Sequence, residues 1–129
     1  MSTEKVQKIL VVDDSKLIHK MYEVMLRPHA LVYSLNGREG LAKLAEHPDV
    51  DLIILDINMP QINGLEFLGQ VKANPAFAKI PVIIVSTEGK DDDIVRGLSA
   101  GAAAYIKKPF QREQLVQVIE RMHAHESAA

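Results

Sequence analysis

The stretch Leu52-Ile53-Ile54-Leu55-Asp56 ends an aliphatic run on a carboxylate, and Ile57-Asn58-Met59-Pro60 followed by Asn63-Gly64 turns the chain directly afterwards. An uninterrupted apolar run of strand length, with no polar alternation, fits a strand covered on both faces, the usual setting of a parallel sheet. Such a strand delivers its last residue to the sheet edge, where open α/β folds place their ligands. Asp56 is therefore the first candidate for a reactive residue.

Four further apolar runs, Ile9–Val12, Ala30–Leu35, Val82–Val85 and Ala102–Ile106, are separated by segments of helical period. The alternation predicts βα units and an α/β fold built on a doubly wound, five-stranded, mostly parallel sheet with helices on both faces. In the first helix Leu17, Met21, Val24 and Met25 form the expected buried stripe; Leu41, Leu44 and Ala45 repeat the pattern between Gly37 and Pro48. The third helix carries Leu65, Leu68 and Val71 and stops at Asn74-Pro75, because proline disfavours helical geometry in the residue before it. Asp91 to Asp93 load the first turn of a fourth helix, where carboxylates suit the helix dipole, with Ile94 and Leu98 on its buried side and Gly101 as its stop. Leu115, Val116, Ile119 and Met122 mark the fifth. From His123 to Ala129 the period is lost, which predicts a short frayed tail after a core of about 6–123.

The 129 residues match one ordinary domain, with a core large enough to need neither disulfide nor structural metal. Fifteen basic against seventeen acidic side chains give a net charge of −2, no footprint for direct nucleic-acid or membrane binding. No cysteine is present, which excludes thiol chemistry, and no apolar run approaches the roughly 20 residues a bilayer demands. The polar start Met1-Ser2-Thr3-Glu4-Lys5 has no signal-peptide pattern, so a cytoplasmic protein is expected. His19, His29, His47, His123 and His125 lack the helical spacing of a zinc site and are expected at the surface.

Asp13 and Asp14 follow the first strand directly and reach the same edge as Asp56 if the first and third strands are neighbours. Two carboxylates about 5 Å apart at an effective dielectric near 20 repel by roughly 3 kcal/mol, so such a cluster needs a cation or its members titrate upward. Mg2+, a hard ion held by few carboxylates and several waters, meets that need. Asp13-Asp14-Ser15 also has the chemistry of a helix N-cap, and the two roles are compatible if Asp14 or Ser15 caps while Asp13 faces the metal. Ser86-Thr87 close the fourth strand and Lys107-Lys108-Pro109-Phe110 close the fifth, bringing a hydroxyl and an ammonium to this edge. Each is ordinary alone. Together they supply a carboxylate nucleophile, a divalent metal, a hydroxyl donor and a cation, the components of an acyl-phosphate site. Lys108-Pro109 is in addition a candidate cis peptide.

The Asp13-Asp14 pair, Asp56, Met59-Pro60 with Gly64, Ser86 and Lys108-Pro109-Phe110 resemble the signature of response-regulator receiver domains of two-component signalling, over nearly the whole chain. The resemblance implies a flavodoxin-like strand order 2-1-3-4-5. It implies Asp56 as phosphoacceptor, Mg2+ on Asp13, Asp14, Asp56 and the Asn58 backbone carbonyl, Ser86 as switch hydroxyl, Lys108 as phosphate-binding lysine and Tyr105 as switch aromatic. The implied partners are a sensor histidine kinase or phosphotransfer protein, and a downstream target on the face made by the fourth helix, fifth strand and fifth helix. The implied behaviour is a chemotaxis-regulator-like switch, not an enzyme in the ordinary sense, monomeric or weakly dimeric on phosphorylation and slowly self-dephosphorylating. Kinase choice is expected to lie with Lys16, His19, Lys20 and Glu23. Thr87 and Asn63 depart from the commonest family pattern, which bears on rates, as does Glu88 near the expected pocket mouth.

Other readings fit less well. A haloacid dehalogenase-like phosphatase needs a second acid two residues after its nucleophile, and Asn58 stands there. A flavodoxin-like cofactor binder needs a phosphate-cradling loop after the first strand, where Asp13-Asp14 would repel the phosphate. Within the family, a phosphorelay intermediate or a receiver excised from a longer regulator remain alternatives.

Overall fold

A computed structural model describes residues 7–27, 29–56, 64–86, 91–108 and 110–128, and their side chains except those of 86, 91–94 and 123–128. Strands and helices alternate strictly: β1 (Lys8–Val12), α1 (Lys16–Met25), β2 (Ala30–Ser34), α2 (Gly37–Glu46), β3 (Leu52–Leu55), α3 (Gly64–Ala73), β4 (Val82–Ser86), α4 (Asp91–Ser99), β5 (Ala104–Lys107) and α5 (Arg112–Ala128). The strands form one sheet in the order β2-β1-β3-β4-β5, with every pair parallel. The expected doubly wound α/β fold and its 2-1-3-4-5 order are both present.

The core divides by parity, because successive strand side chains point to opposite faces. Ile9, Val11, Leu52, Ile54, Ile83, Val85 and Ile106 pack under α1 and α5 with Tyr22, Leu26, Leu115 and Ile119. Leu10, Val12, Ile53, Leu55, Val82 and Ile84 pack on the other face with Leu44 of α2 and Phe67, Leu68 and Val71 of α3. β3, between two strands and under two helix layers, is buried along its whole length. That is the physical reason for its unbroken apolar sequence, and it carries Asp56 on its end.

Several local expectations are corrected. In α1 three of the four predicted stripe residues face outward, Leu17 at 76% exposed, Met21 at 38% and Val24 at 66%, whereas Met25 turns toward the core as expected and His19 and Tyr22 are the helix's buried residues. Ten residues hold two apolar stripes. The N-cap, where the Ser15 hydroxyl accepts from the Ile18 N–H at 3.3 Å, helps fix the register that turns Ile18, Tyr22 and Met25 inward. His19 is not a surface residue: it is 7% exposed, with its ring stacked on Tyr33 at a centroid distance of 4.7 Å. His29 is half-buried and its Nδ1 accepts from the Gln7 N–H at 3.0 Å, tying the entry of β1 to that of β2. In α4, Leu98 is 46% exposed, and Gly97 is the buried residue among those whose side chains are described. A Cβ on Gly97 would lie 2.5 Å from Ile84 Cδ1, so the helix approaches the sheet through a missing side chain. In α2, Ala45 is exposed. The expected frayed tail is helical, since α5 runs to Ala128.

Opposite the acids' edge of α3, the Lys72 ammonium donates to the Ala78 and Ile80 carbonyls at 3.0 and 2.8 Å, bracing the loop before β4. Burial lowers its proton affinity. Its stem lies against Gly101, which has φ 113°, the left-handed conformation expected of a helix stop.

Candidate functional site

Sheet register alone brings the first two acids together. β1 and β3 pair with Val12 opposite Leu55, so the next residue on each strand is an aspartate: Asp13 beside Asp56. The backbone ladder continues past the strands to hold them, with Asp56 N–H donating to Val12 O at 2.9 Å and Asp13 N–H to Ser34 O at 3.1 Å. Asp14, one residue on, is exposed, and one carboxylate oxygen from each of Asp13, Asp14 and Asp56 lies within 4.8 Å of the others. Asp13 is the buried member. Its Oδ1 accepts from the Ser15 N–H at 2.9 Å, fixing the carboxylate at the mouth of α1, while Ser15 rather than Asp14 caps the helix.

The cation comes from the far end of the sheet. β4 and β5 pair with Ser86 opposite Lys107, so Lys108 leaves the sheet at the level of the acids. Its Nζ lies 3.4 Å from Asp13 Oδ2 and 4.0 Å from Asp56 Oδ2, with all three side chains largely shielded from solvent. Among the described residues, one ammonium faces three carboxylates, so negative charge remains in excess. An oxygen-only donor set with excess negative charge fits Mg2+ in ligand type and charge.

Four of the predicted site residues thus converge: Asp13, Asp14, Asp56 and Lys108. Ser86 ends β4 on the same edge, its side chain outside the described residues, and Asn58, Met59-Pro60, Asn63, Thr87, Glu88 and Pro109, with the candidate cis peptide, lie outside them as well. Tyr105 sits on β5, half-buried against the core on the α2–α3 side. Gly64 opens α3.

Sequence reasoning missed the floor of the site. Tyr22 is 1% exposed, its ring lies over Phe110 at a centroid distance of 6.4 Å and 22° between planes, and its hydroxyl has no hydrogen-bond partner among the described residues. Burial first, then the negative charges of Asp13 and Asp56, push that hydroxyl well above the ordinary tyrosine range. The available signal was the second stripe of α1, Ile18 and Tyr22, which shares Met25 with the predicted one and competes with Leu17, Met21 and Val24 at the same period.

A parallel 2-1-3-4-5 sheet with an acid triad and a lysine at its carboxyl edge defines a doubly wound α/β domain with a charged site at the strand ends, and comparison with known proteins narrows it. Residues 9–120 match the response regulator receiver domain family. Chemotaxis protein CheY1 of Helicobacter pylori is 34% identical over 116 residues, covering 88% of this chain and 94% of that protein. Protein PilG of Pseudomonas aeruginosa is likewise 34% identical over 116 residues, with 88% and 84% covered. Among solved structures, chemotaxis protein CheY4 of Vibrio cholerae superposes with a TM-score of 0.84 at 32% identity, covering 92% of this chain and 99% of that one. The phosphorylated cyanobacterial phytochrome response regulator RcpA gives 0.78 at 31% identity, with 92% and 91% covered. The chain belongs to the response regulator receiver domain family. Receiver domains are switches of two-component signalling rather than enzymes in the ordinary sense, and they bind Mg2+ at an aspartate cluster of the kind seen here.

Proposed function

We propose that this chain works as a single-domain, phosphorylation-dependent switch whose phosphoacceptor is Asp56. The observation that carries the reading is the Lys108 ammonium held between Asp13 and Asp56, with the three carboxylates within 4.8 Å of one another. An Asp56 carboxylate oxygen attacks the phosphorus of a phosphohistidine in line. The O–P bond forms as the N–P bond breaks, and the imidazole nitrogen leaves with the electron pair. Lys108 meets the charge on the phosphoryl oxygens from one side; Asp13, Asp14, Asp56 and the Asn58 carbonyl are the groups that would hold Mg2+ on the other. When bound, the ion supplies neutralisation of the charge spread over the transferring group. Hydrolysis by water at phosphorus, releasing phosphate and restoring Asp56, is the off step.

Ser86, at the end of β4, is the hydroxyl that would turn toward the phosphoryl oxygens, and Tyr105, across from Ile84 in the register, the aromatic that follows it. The added charge of about −1.5 to −2 shifts the population only by the difference with which the two states bind it. The output surface is the α4–β5–α5 face, which presents exposed Val95, Leu98 and Lys107 and where α4 rests on the sheet through Gly97. The exposed stripe Leu17, Met21 and Val24, flanked by exposed Lys16, Lys20 and Glu23, suits a helical surface of the kinase or phosphotransfer protein. α1 starts three residues after Asp13, so an occupant there lies beside the acceptor. Similarity to two chemotaxis regulators over nearly their full lengths favours output by protein contact. No described helix is long and apolar enough to cross a membrane, which accords with a cytoplasmic setting.

The test is incubation with radiolabelled acetyl phosphate and Mg2+. Wild-type protein takes up label that hydroxylamine removes, and Asp56→Asn takes up none; undiminished labelling of that variant moves the acceptor elsewhere.

A further inference from the structure

The loop that carries Lys108 is fastened to α1 at two points. The Phe110 ring stacks on Tyr22, and the Arg112 Nε donates to the Met25 carbonyl at 2.8 Å, in the last turn of α1 where the helix's own ladder leaves carbonyls open. Lys108 and Phe110 are two residues apart, so the backbone bearing the ammonium cannot stray more than roughly 7 Å from the backbone of the stacked ring. We propose that Tyr22 is a positioning residue for phosphoryl transfer: its ring, through Phe110, holds the loop that aims the Lys108 ammonium at Asp13 and Asp56. The proposal rests on Asp56 being the phosphoacceptor.

A lysine head on a four-carbon stem is not aimed by its own shape, unlike the planar fork of an arginine. Its direction is inherited from the backbone beneath it. Here Nζ stands 3.4 Å from one carboxylate and 4.0 Å from the other, so a displacement of an ångström ends the direct contact with either. The neighbouring proline in the sequence has no N–H to anchor that backbone. Of the two fastenings the ring pair is the nearer in sequence to Lys108, and the Tyr22 side of it is fixed, because that side chain is fully buried in the α1–α5 core. The hydroxyl, which has no partner among the described residues, is not what does the holding.

The experiment measures initial rates of labelling by acetyl phosphate with Mg2+ for wild type, Tyr22→Leu, Tyr22→Phe, Lys108→Ala and the Tyr22→Leu/Lys108→Ala double variant. Donor concentrations are chosen to give Lys108→Ala a measurable rate, and folding of each protein is checked by far-ultraviolet circular dichroism. Tyr22→Leu lowers the rate about tenfold, within the loss expected of a displaced reacting group. Tyr22→Phe, which keeps the ring, recovers what leucine loses. In the Lys108→Ala background, Tyr22→Leu changes the rate by less than about twofold, because the group it positions is gone. A tenfold loss in both backgrounds, or an unchanged rate in a folded Tyr22→Leu protein, overturns the proposal while leaving Asp56 as acceptor. An unlabelled wild-type protein overturns both.

Discussion

Asp14→Asn should make the metal-free protein more stable, by an amount that the triad's geometry sets. The substitution keeps the shape and one oxygen of the side chain and removes one of three charges whose oxygens lie within 4.8 Å. At an effective dielectric near 20 each pair at that distance repels by about 3.5 kcal/mol, and in bulk water by about 0.9 kcal/mol. Losing the pairs with Asp13 and Asp56 therefore gains about 2 to 7 kcal/mol. Asp14 is the exposed member, which puts the answer near the lower limit, about 2 kcal/mol. Unlike Asp13 and Asp56, it makes no ion pair with Lys108 that would be given up. For a domain of this size that gain raises the melting temperature by roughly 8 °C. The assay is urea unfolding followed by circular dichroism, at low ionic strength, with EDTA and again with saturating MgCl2. In Mg2+ the wild type gains the binding free energy, about 2.7 kcal/mol at a hundredfold excess over Kd, and the variant with one ligand fewer gains less. The advantage of Asp14→Asn should therefore shrink or reverse. A variant no more stable than wild type in EDTA, or one whose advantage Mg2+ leaves untouched, refutes an electrostatically strained, metal-relieved triad.

Tyr22→Phe removes a buried hydroxyl that has no partner among the described residues and should raise the unfolding free energy at pH 7 by about 1 kcal/mol, read from urea midpoints. The raised proton affinity of Tyr22 contributes stability that is complete below its ordinary value of 10.0 and is lost as pH climbs toward the folded value; Tyr22→Phe lacks that loss, so its alkaline unfolding should begin at higher pH. Gly69, an exposed position in α3 where a Cβ meets nothing within 4 Å, should accept alanine with a gain of about 1 kcal/mol. Gly40→Ala, by contrast, places its Cβ 2.8 Å from the buried Phe67 ring, and thermal denaturation should show a net loss of about 1 kcal/mol after the helix-propensity gain is set against overpacking. Lys72→Met keeps the stem against Gly101 but gives up the bonds to Ala78 and Ile80, and should cost about 2 kcal/mol in the same measurement.

The family signature was readable because its residues occupy strand ends. In a parallel sheet every βα junction falls on one edge, so Asp13, Asp14, Asp56 and Lys108 had to share a rim once β1 and β3 were neighbours and β5 ran the same way. Residue type then restricted the chemistry: three acids and an ammonium at one rim suit a divalent cation beside an anionic group, the setting proposed for phosphoryl transfer.

Helix orientation was harder to read. α1 offers two apolar stripes of equal period, and hydrophobicity favoured Leu17, Met21 and Val24, the stripe that lies in solvent. What the structure shows holding the helix in this orientation is the Ser15 cap and the packing of Tyr22 over Phe110, and the second is a tertiary fact. α4 shows the same limit, where a glycine against Ile84 replaces the expected leucine contact. Sequence by itself determined the order of elements, the two-faced burial of the strands and the residues gathered at the carboxyl edge, since these follow from local period and from one rule of connection. The tertiary structure alone decided which helix face is buried, that His19 lies inside, and that the Tyr22 ring stacks on Phe110. Packing is settled by the fit of several elements at once, and no single segment carries that information.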